Sequence, residues 1–450
     1  MNGRNKVSRR GFLWLAGLTS GAIGLGKLPG KEAPNKRFLH RPWWVKTIEE
    51  PKLWIDNRVY QRYDSRNQIF SSFGRVVGEG RARELFMESR QKTTQWMREG
   101  RPGYSLRDRA LADAGWTVMR AGGPNRGIQR WTASGRGPEE YGVERYQASP
   151  EETAQTVKAA ARLFGASLVG VAKLDRRHIY SWDGGKEIVL ENVEQPYEDE
   201  TKRVIPEKVQ WVIALAVQMS EEAIKRAPAP IASATTSVGY SLCQFVVSTL
   251  SEFIRGLGYI AIPAVNDTAL SIPIAMEAGL GELGRHNRLI TPEYGPNVRL
   301  CKVFTDLPMA IDQPIDFGVA EFCRVCKRCA EACPAKSLSL KDEPDYQVRG
   351  IWNNPGHRAW HDDASLCYTY WQKLTTGCSV CFAVCPYSKK DDASIHGLAK
   401  GTASVTPAFD RFFNRMDRLF GYGRQKDPVK WWELELPPFG FDTTQGVKRR

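Results

Sequence analysis

Apolar and polar positions alternate most clearly in the middle of the chain, where they predict helices and strands in turn. Ser149-Pro150-Glu151-Glu152 opens a helix: Ser149 caps it, Pro150 takes the first helical position and Glu152 completes a capping box. The helix runs to Phe164, and Gly165 stops it. Ala166 to Leu174 (ASLVGVAKL) then reads as a strand, and Val209 to Val217 as a second, strongly apolar one. Thr235 to Arg255 is helical, with Leu242, Phe245, Val246, Thr249 and Phe253 as the expected buried stripe. Gly256-Leu257-Gly258 breaks that helix, and Tyr259 to Val265 is a further strand. Alternation of this kind predicts an α/β core with helices packed on a sheet.

Composition adds limits. A chain of 450 residues has room for two or three domains. The 42% hydrophobic and 25% charged content, with a mean hydropathy of -0.42, argues against a polytopic membrane protein. The net charge of +14 invites a nucleic-acid or membrane-surface reading. Lys and Arg are spread along the chain, however, with no basic tail or RNA-binding signature, so the surface reads as solvated and no nucleic-acid partner is expected. Some of the 14 Trp are expected to line an aromatic pocket and the rest to fill cores.

At the N-terminus, Ser8-Arg9-Arg10-Gly11-Phe12-Leu13 precedes an apolar run from Trp14 to Leu25. The pair of arginines and the run resemble a twin-arginine export signal, and the run falls short of the roughly 20 residues that span a bilayer. That route carries folded proteins and suits a protein loaded with cofactors before export. The following segment, Lys27 to Lys36, is basic and rich in Gly and Pro, without a clean Ala-x-Ala cleavage site.

The cysteines carry the strongest chemistry. Eight of the ten lie between Cys323 and Cys385. The first run, Cys323-x2-Cys326-x2-Cys329-x3-Cys333-Pro334, has the bacterial ferredoxin spacing, in which three Cys hold one cubane and the fourth ligates the other. The second run is Cys378-x2-Cys381-x3-Cys385-Pro386, with Thr375 where a symmetric ferredoxin has another Cys and Cys367 upstream to replace it. Crossing the runs assigns Cys323, Cys326, Cys329 and Cys385 to one 4Fe-4S cluster, and Cys333, Cys367, Cys378 and Cys381 to the other. Zinc knuckles do not use two such runs, and disulfide frameworks rarely space Cys this regularly. Cys243 and Cys301 lie in apolar segments and read as small buried hydrophobes.

Between the core and the cysteines the chain turns Gly-rich, with AGLGELGR at 278–285 and LITPEYGPNVR at 289–299. Glycines let a backbone approach a bulky ligand, yet neither a dinucleotide fingerprint nor a P-loop is present.

The export motif, these two stretches, Thr305-Asp306-Leu307-Pro308 and both cysteine runs together resemble the catalytic subunit of the reductive dehalogenases, the corrinoid enzymes of organohalide respiration. The likeness spans essentially the whole chain. It implies an α/β (α+β) nitroreductase-like corrinoid-binding core with a C-terminal bacterial ferredoxin-like two-cluster module. The corresponding segments are a twin-arginine signal region (1–30), an N-terminal unit (31–148), the corrinoid-binding core (149–315), the ferredoxin-like module (316–395) and a C-terminal tail (396–450) expected to pack over that module.

The resemblance also implies a site. Its catalytic tyrosine, asparagine and arginine match Tyr240, Asn266 and Arg299. Its base-off corrinoid would be held without a protein His, in keeping with the absence of an Asp-x-His-x-x-Gly motif among the six His. Corrinoid contacts are expected from Gly279, Gly281, Glu282, Gly284, Arg285, Pro292, Glu293, Tyr294 and Gly295. Candidate substrate walls are Trp116, Trp360, Tyr368, Tyr370 and Trp371. Replacing a carbon–halogen bond by carbon–hydrogen consumes two electrons and one proton and releases halide. A phenol with a pKa near 10 donates poorly at neutral pH; a guanidinium beside it stabilises the phenolate and eases donation.

The expected substrate is a small organohalide. The expected partners are a small hydrophobic membrane anchor protein and an upstream respiratory electron donor, with a homodimer left open. The expected location is the outer face of the cytoplasmic membrane, peripherally attached. Two other readings fit parts of the chain. Epoxyqueuosine reductase has a similar core and clusters but is cytosolic. A two-cluster electron carrier would not need the long region before the cysteines.

Overall fold

Alternating strand residues bury two apolar faces of one sheet, and this builds the core. The computed structural model describes residue 42 and residues 44–388, 394–419, 421 and 423–441; the export motif and its apolar run lie outside them. In chain order the core contains α1 (Pro150–Leu163), β1 (Leu168–Lys173), β2 (Trp211–Gln218), α2 (Pro230–Gly256), β3 (Ala261–Ala264), α3 (Ser271–Glu277) and β4 (Val298–Thr305). The strands pair in the order β3–β4–β2–β1, antiparallel throughout. The observed core is therefore of the α+β kind, without parallel crossovers between its strands.

In β2, Val212, Ala214 and Ala216 face one cluster with Leu168, Ile262 and Phe304. Ile213, Leu215 and Val217 face the other, with Val157 and Ala161 of α1 and Val246, Val247, Leu250 and Ile254 of α2. Each fully buried aliphatic side chain contributes roughly 1.5–3 kcal/mol, so β2, buried on both faces, is the keel of the fold. Cys243 and Cys301 are buried in the second cluster as small hydrophobes.

Two local expectations are corrected. Ser149 does cap α1, accepting the Glu152 N–H at 3.2 Å, but the Glu152 side chain does not return the bond. The buried stripe of α2 follows Cys243, Val246, Val247, Leu250 and Ile254; of the expected set Val246 lies in it, Leu242 and Phe253 flank it partly buried, and Phe245 is 50% exposed. The physical reason is that α2 is covered on a second side by the helix Leu106–Ala114, where small and polar Ser237, Ser241 and Gln244 are buried. Side-chain bulk therefore does not mark its buried face. α2 also starts earlier than expected, with Pro230 in its first turn.

A second four-stranded sheet, Trp182–Asp183, Lys186–Glu191, Lys202–Pro206 and Tyr197–Glu198, lies outside the sequence expectations. Ahead of the core, helices Ile69–Val77, Glu79–Arg98 and Leu106–Ala114 reach the cysteine region through Arg109, whose Nη2 donates to Thr375 Oγ1 at 2.9 Å. The cysteine region contains α4 (Val319–Cys326) and α5 (Ala364–Leu374). The tail divides. Asn414 packs on the module, donating to the Val325 and Cys326 carbonyls at 3.3 Å. Lys426 instead reaches Glu222 at 2.8 Å, and Trp432 Nε1 donates to Asp108 Oδ1 at 2.7 Å, so the last stretch crosses to the core and N-terminal helices. The described residues belong to one compact unit, and none of their helices is long and apolar enough to cross a membrane.

Candidate active site and cluster sites

Beside the edge of the main sheet opens a cavity of about 1500 Å³, counted to its mouth. Tyr240 reaches it from α2, Asn266 from the turn after β3 and Arg299 from the start of β4. The fold brings together three residues that the sequence keeps far apart. Asn266 Nδ2 donates to the Tyr240 hydroxyl oxygen at 2.9 Å. The Arg299 guanidinium carbon lies 5.0 Å from the Tyr240 ring centroid, and Arg299 Nη2 donates to Thr236 Oγ1 at 3.1 Å. Arg299 Nε is buried with no partner, a donor left over for negative charge in the cavity. Behind Tyr240, Trp116 stacks at 5.4 Å and 18°.

Neighbouring groups fix this trio. A Cβ added at Gly239 would stand 2.9 Å from Arg299 Cγ, so the glycine before Tyr240 makes room for the arginine stem. Lys302 is fully buried, and its Nζ donates to the Val265 carbonyl at 2.9 Å and to Ser271 Oγ at 3.1 Å. It thereby clamps the turn carrying Asn266. Burial pulls its pKa down to about 8, with Asp267 opposing the fall. Asp267 accepts the Val265 N–H at 3.0 Å and Gln129 Nε2 at 3.1 Å, completing the clamp.

The cavity wall has two characters. Leu53, Ile69, Phe70, Leu270, Leu289, Leu300 and Phe382 are apolar; Asn287, Arg288, Asn353, Asn354, His357 and His361 are polar. The Nδ1 atoms of His357 and His361 are buried without partners. Burial, with His361 alongside, pushes the His357 pKa down to about 4, so its ring is neutral at pH 7 and able to accept a hydrogen bond. These walls suit a large disc-shaped cofactor with amide arms: the orphaned ring nitrogens and the asparagines would hold its amides, and the aliphatic residues its ring.

None of the nine residues expected to contact a corrinoid lines this cavity. Gly281 and Gly284 lie against Ile290, where a Cβ would come within 2.2 Å and 2.6 Å, and Gly295, at φ +58°, lies against the Tyr387 carbonyl. Gly279 follows α3 with φ +69°. Glu282 accepts the Phe317 and Val319 N–H groups at 2.6 and 3.3 Å, and Arg285 binds backbone carbonyls of the cysteine region. Pro292, Glu293 and Tyr294 belong to the turn closed by Thr291 and Gly295. Their neighbours Leu283, Asn287, Arg288, Leu289, Pro296 and Val298 line the cavity instead. These stretches thus form the wall, while their glycines serve backbone packing behind it.

Of the aromatic walls expected, Trp116 stands behind Tyr240, and Trp360 lies under Arg285 at 4.5 Å. Tyr368 and Trp371 buttress Phe70, at 5.0 and 5.8 Å, and Tyr370 packs against the second cysteine site. Besides Tyr240, the lining aromatics are Tyr60, Tyr63, Phe70, Tyr180, Trp352 and Phe382, of which the sequence offered no local signal.

The cysteines gather as two sets. A hollow of about 300 Å³, counted to its mouth, is bordered by Cys323, Cys326, Cys329 and Cys385, which is the crossed arrangement. Cys367, Cys378 and Cys381 act electrostatically on one another and on Cys333. The two runs repeat each other locally: Lys327 and Ser379, at φ 50° and 57°, each turn the chain into a four-residue helix, Arg328–Glu331 and Val380–Ala383. Cys367 comes from α5, in the place that Thr375 leaves empty of sulfur.

No three cysteine sulfurs among the described residues lie within 4.8 Å of one another. Four thiolates about 2.3 Å from one zinc would sit closer than that, so the hollows suit a cubane. Backbone N–H groups of Arg285, Arg328, Val380, Phe382 and Tyr387 point at Cys323, Cys326, Cys378, Cys381 and Cys385. Burial pushes the Cys323 and Cys378 thiols up to about 12, so cluster assembly must displace protons there.

Known proteins resemble the chain along most of its length. A family model described as the reductive dehalogenase subunit matches residues 183–309, and a 4Fe-4S double cluster binding domain matches residues 322–388. The tetrachloroethene reductive dehalogenase of Sulfurospirillum multivorans is 33% identical over 97% of this chain and 95% of its own length. That of Desulfitobacterium hafniense strain Y51 is 37% identical over 62% of this chain and 56% of its own. A solved reductive dehalogenase, described as B12-dependent, is 20% identical and superposes with a TM-score of 0.63 over 86% of this chain. The present chain covers half of that longer protein, and the likeness there is one of fold.

Proposed function

The chain belongs to the reductive dehalogenase family, and from that premise we propose that it removes halide reductively from a small organohalide, with Tyr240 as the proton donor. The observation that carries the proposal is the 2.9 Å bond from Asn266 to Tyr240 inside a cavity that Arg299 also lines, all three within the segment 183–309 matched by the family model. The enzyme is an oxidoreductase acting on carbon–halogen bonds, with two 4Fe-4S clusters and a corrinoid.

A corrinoid bound in the cavity supplies the cobalt that takes electrons to the carbon–halogen bond, and the clusters deliver those electrons singly. His357, His361, Asn353 and Asn354 would hold its amide arms, and Leu289, Leu300 and Phe382 its apolar rim. The protein's own residues handle the proton. Because Asn266 donates to the Tyr240 oxygen, the phenol's own hydrogen is left to point into the cavity. On donation to substrate carbon, the same amide bond stabilises the phenolate. Arg299, against the ring, adds positive charge, and its unpartnered Nε–H is available to the phenolate or the departing halide. The aliphatic wall excludes water and fits a small apolar substrate by shape.

Further parts of this reading rest on the sequence. The nitroreductase-like descent of the core is supported by its sheet backed by one long helix. The twin-arginine motif supports export to the outer face of the cytoplasmic membrane; the family resemblance supports peripheral attachment through a separate hydrophobic anchor protein and a respiratory donor, and likeness to a tetrachloroethene reductive dehalogenase supports chloride as the halide. Likeness over 97% of the chain favours a dehalogenase over a queuosine enzyme or a simple carrier.

The test is cobalt and iron analysis of anaerobically purified protein, with halide release driven by reduced viologen. Expected are one cobalt and about eight irons per chain, and turnover that falls about 10²–10⁴-fold in Tyr240→Phe. Full turnover in that variant at normal cobalt content would remove Tyr240 from the mechanism.

A further inference from the structure

One hairpin serves both cysteine sites. Strands Glu282–Leu283 and Leu289–Ile290 pair antiparallel. Their turn is fixed by Gly284 N–H to the Arg288 carbonyl at 3.0 Å and Asn287 N–H to the Gly284 carbonyl at 2.9 Å, with Asn287 at φ 56°. The turn sends Arg285 to the first set of cysteines and Arg288 to the second.

The two arginines are neutralised differently. Arg288, which feels the charges of Cys367 and Cys381, has a carboxylate of its own: Asp362 Oδ2 at 3.3 Å. Arg285 is 1% exposed and borders the hollow at Cys323, Cys326, Cys329 and Cys385. Its hydrogen bonds go to neutral carbonyls: Cys323 at 2.9 and 2.7 Å, Ser339 at 2.8 Å and Lys341 at 2.7 Å. The Trp360 ring covers it at 4.5 Å. Among the described residues no carboxylate lies within ion-pair reach of it; Asp342, whose charge acts on it from further off, is exposed and paired with Lys327. Arg328, near Cys326, likewise has Asp417 at 3.6 Å. A buried cation without an anion is costly. The groups facing Arg285 that would carry negative charge as cluster ligands are Cys323, Cys329 and Cys326, which act on it ahead of Asp342.

Resting on the two-cluster reading, we infer that Arg285 is the counter-ion of the cluster at Cys323, Cys326, Cys329 and Cys385, and makes that cluster the first of the two to accept an electron. Uptake of one electron adds one negative charge to a cluster and breaks no bond. A buried, unneutralised cation favours the more negative form, whereas the Arg288–Asp362 pair contributes almost no net charge at the second site. Cluster potential follows local charge in this sense. The first site then stores one electron while the second, next to cavity-lining Arg288, Asp362 and Phe382, passes another.

The experiment is an EPR-monitored redox titration of the iron-replete, corrinoid-loaded enzyme and its Arg285→Gln, Arg285→Lys and Arg288→Gln variants. Arg285→Gln is expected to lower the midpoint of the higher-potential cluster and leave the other in place, and Arg285→Lys to retain most of the wild-type value. Arg288→Gln should leave the higher midpoint unmoved. Unchanged midpoints in Arg285→Gln, or an equal shift in the lysine variant, would overturn the inference. Should the glutamine variant fail to fold, Cys385→Ser decides: it should abolish the higher-potential signal, and loss of the lower one instead refutes the ordering. Wild-type protein without about eight irons would fail the cluster reading itself, a result distinct from any of these.

Discussion

The cysteine module and the cavity it adjoins are built in opposite ways. Each cysteine run is one short segment whose turns, at Lys327 and Ser379, recur at matching positions. Only the crossing of Cys333 and Cys385 and the reach of Cys367 need distant chain. The cavity draws on the helix Ile69–Val77, α2, one end of the main sheet at β3 and β4, a hairpin and the loop at 352–362. A module coded by spacing fails as a whole when one ligand goes. A wall assembled from many segments loses function by degrees.

The largest effect should come from the ligands. Cys385→Ser, although far in sequence from the first run, should remove the same cluster signal as Cys323→Ser and abolish turnover. Iron analysis and EPR check this; loss of different signals in the two variants would break the crossed assignment. A graded effect is expected at the cavity. Gly239→Ala, by displacing the Arg299 stem, should cost about 10–100-fold in kcat, since misplacement of about 1 Å can cost that much. Iron and cobalt content should stay normal. An active alanine variant would show that Arg299 can shift without loss, and would weaken the contrast.

The smallest effect is one of stability, on the hairpin that joins the two regions. Burial raises the Glu282 carboxyl from 4.5 to about 8. Between those values the folded protein holds a proton that the unfolded chain has lost. The stability tied to that proton is therefore complete below about pH 4.5 and is lost as pH rises toward 8. Glu282→Gln cannot titrate, so the wild type should lose stability relative to it between pH 5 and 8, by about a few kcal/mol at most, read as a falling Tm. Parallel melting curves for the two proteins would show that Glu282 stays ionised in the folded state.

Much of this was legible beforehand, for physical reasons that differ by region. Fixed Cys spacing reports a cluster because the loop must wrap one cubane, so ligands and partners followed from the chain. Strands β1 to β3 announced themselves by buried apolar runs. The buried face of α2 did not, because Ser237, Ser241 and Gln244 are covered as fully as its aliphatic residues. The Gly-rich stretches marked the region of the cavity wall, but their glycines sit where backbone meets backbone, and the cavity receives their side-chain-bearing neighbours.

The sequence by itself pointed to the two cysteine runs and their crossing, to three of the four strands of the core and, by resemblance, to the trio Tyr240, Asn266 and Arg299. Only the tertiary structure decided which residues line the cavity, that Gly239 and Lys302 hold the trio in place, and that Arg285 is buried without a carboxylate while Arg288 has one. Local spacing carries information about neighbours along the chain. Burial and charge compensation depend on which distant segments meet, and nothing short of the folded arrangement specifies that.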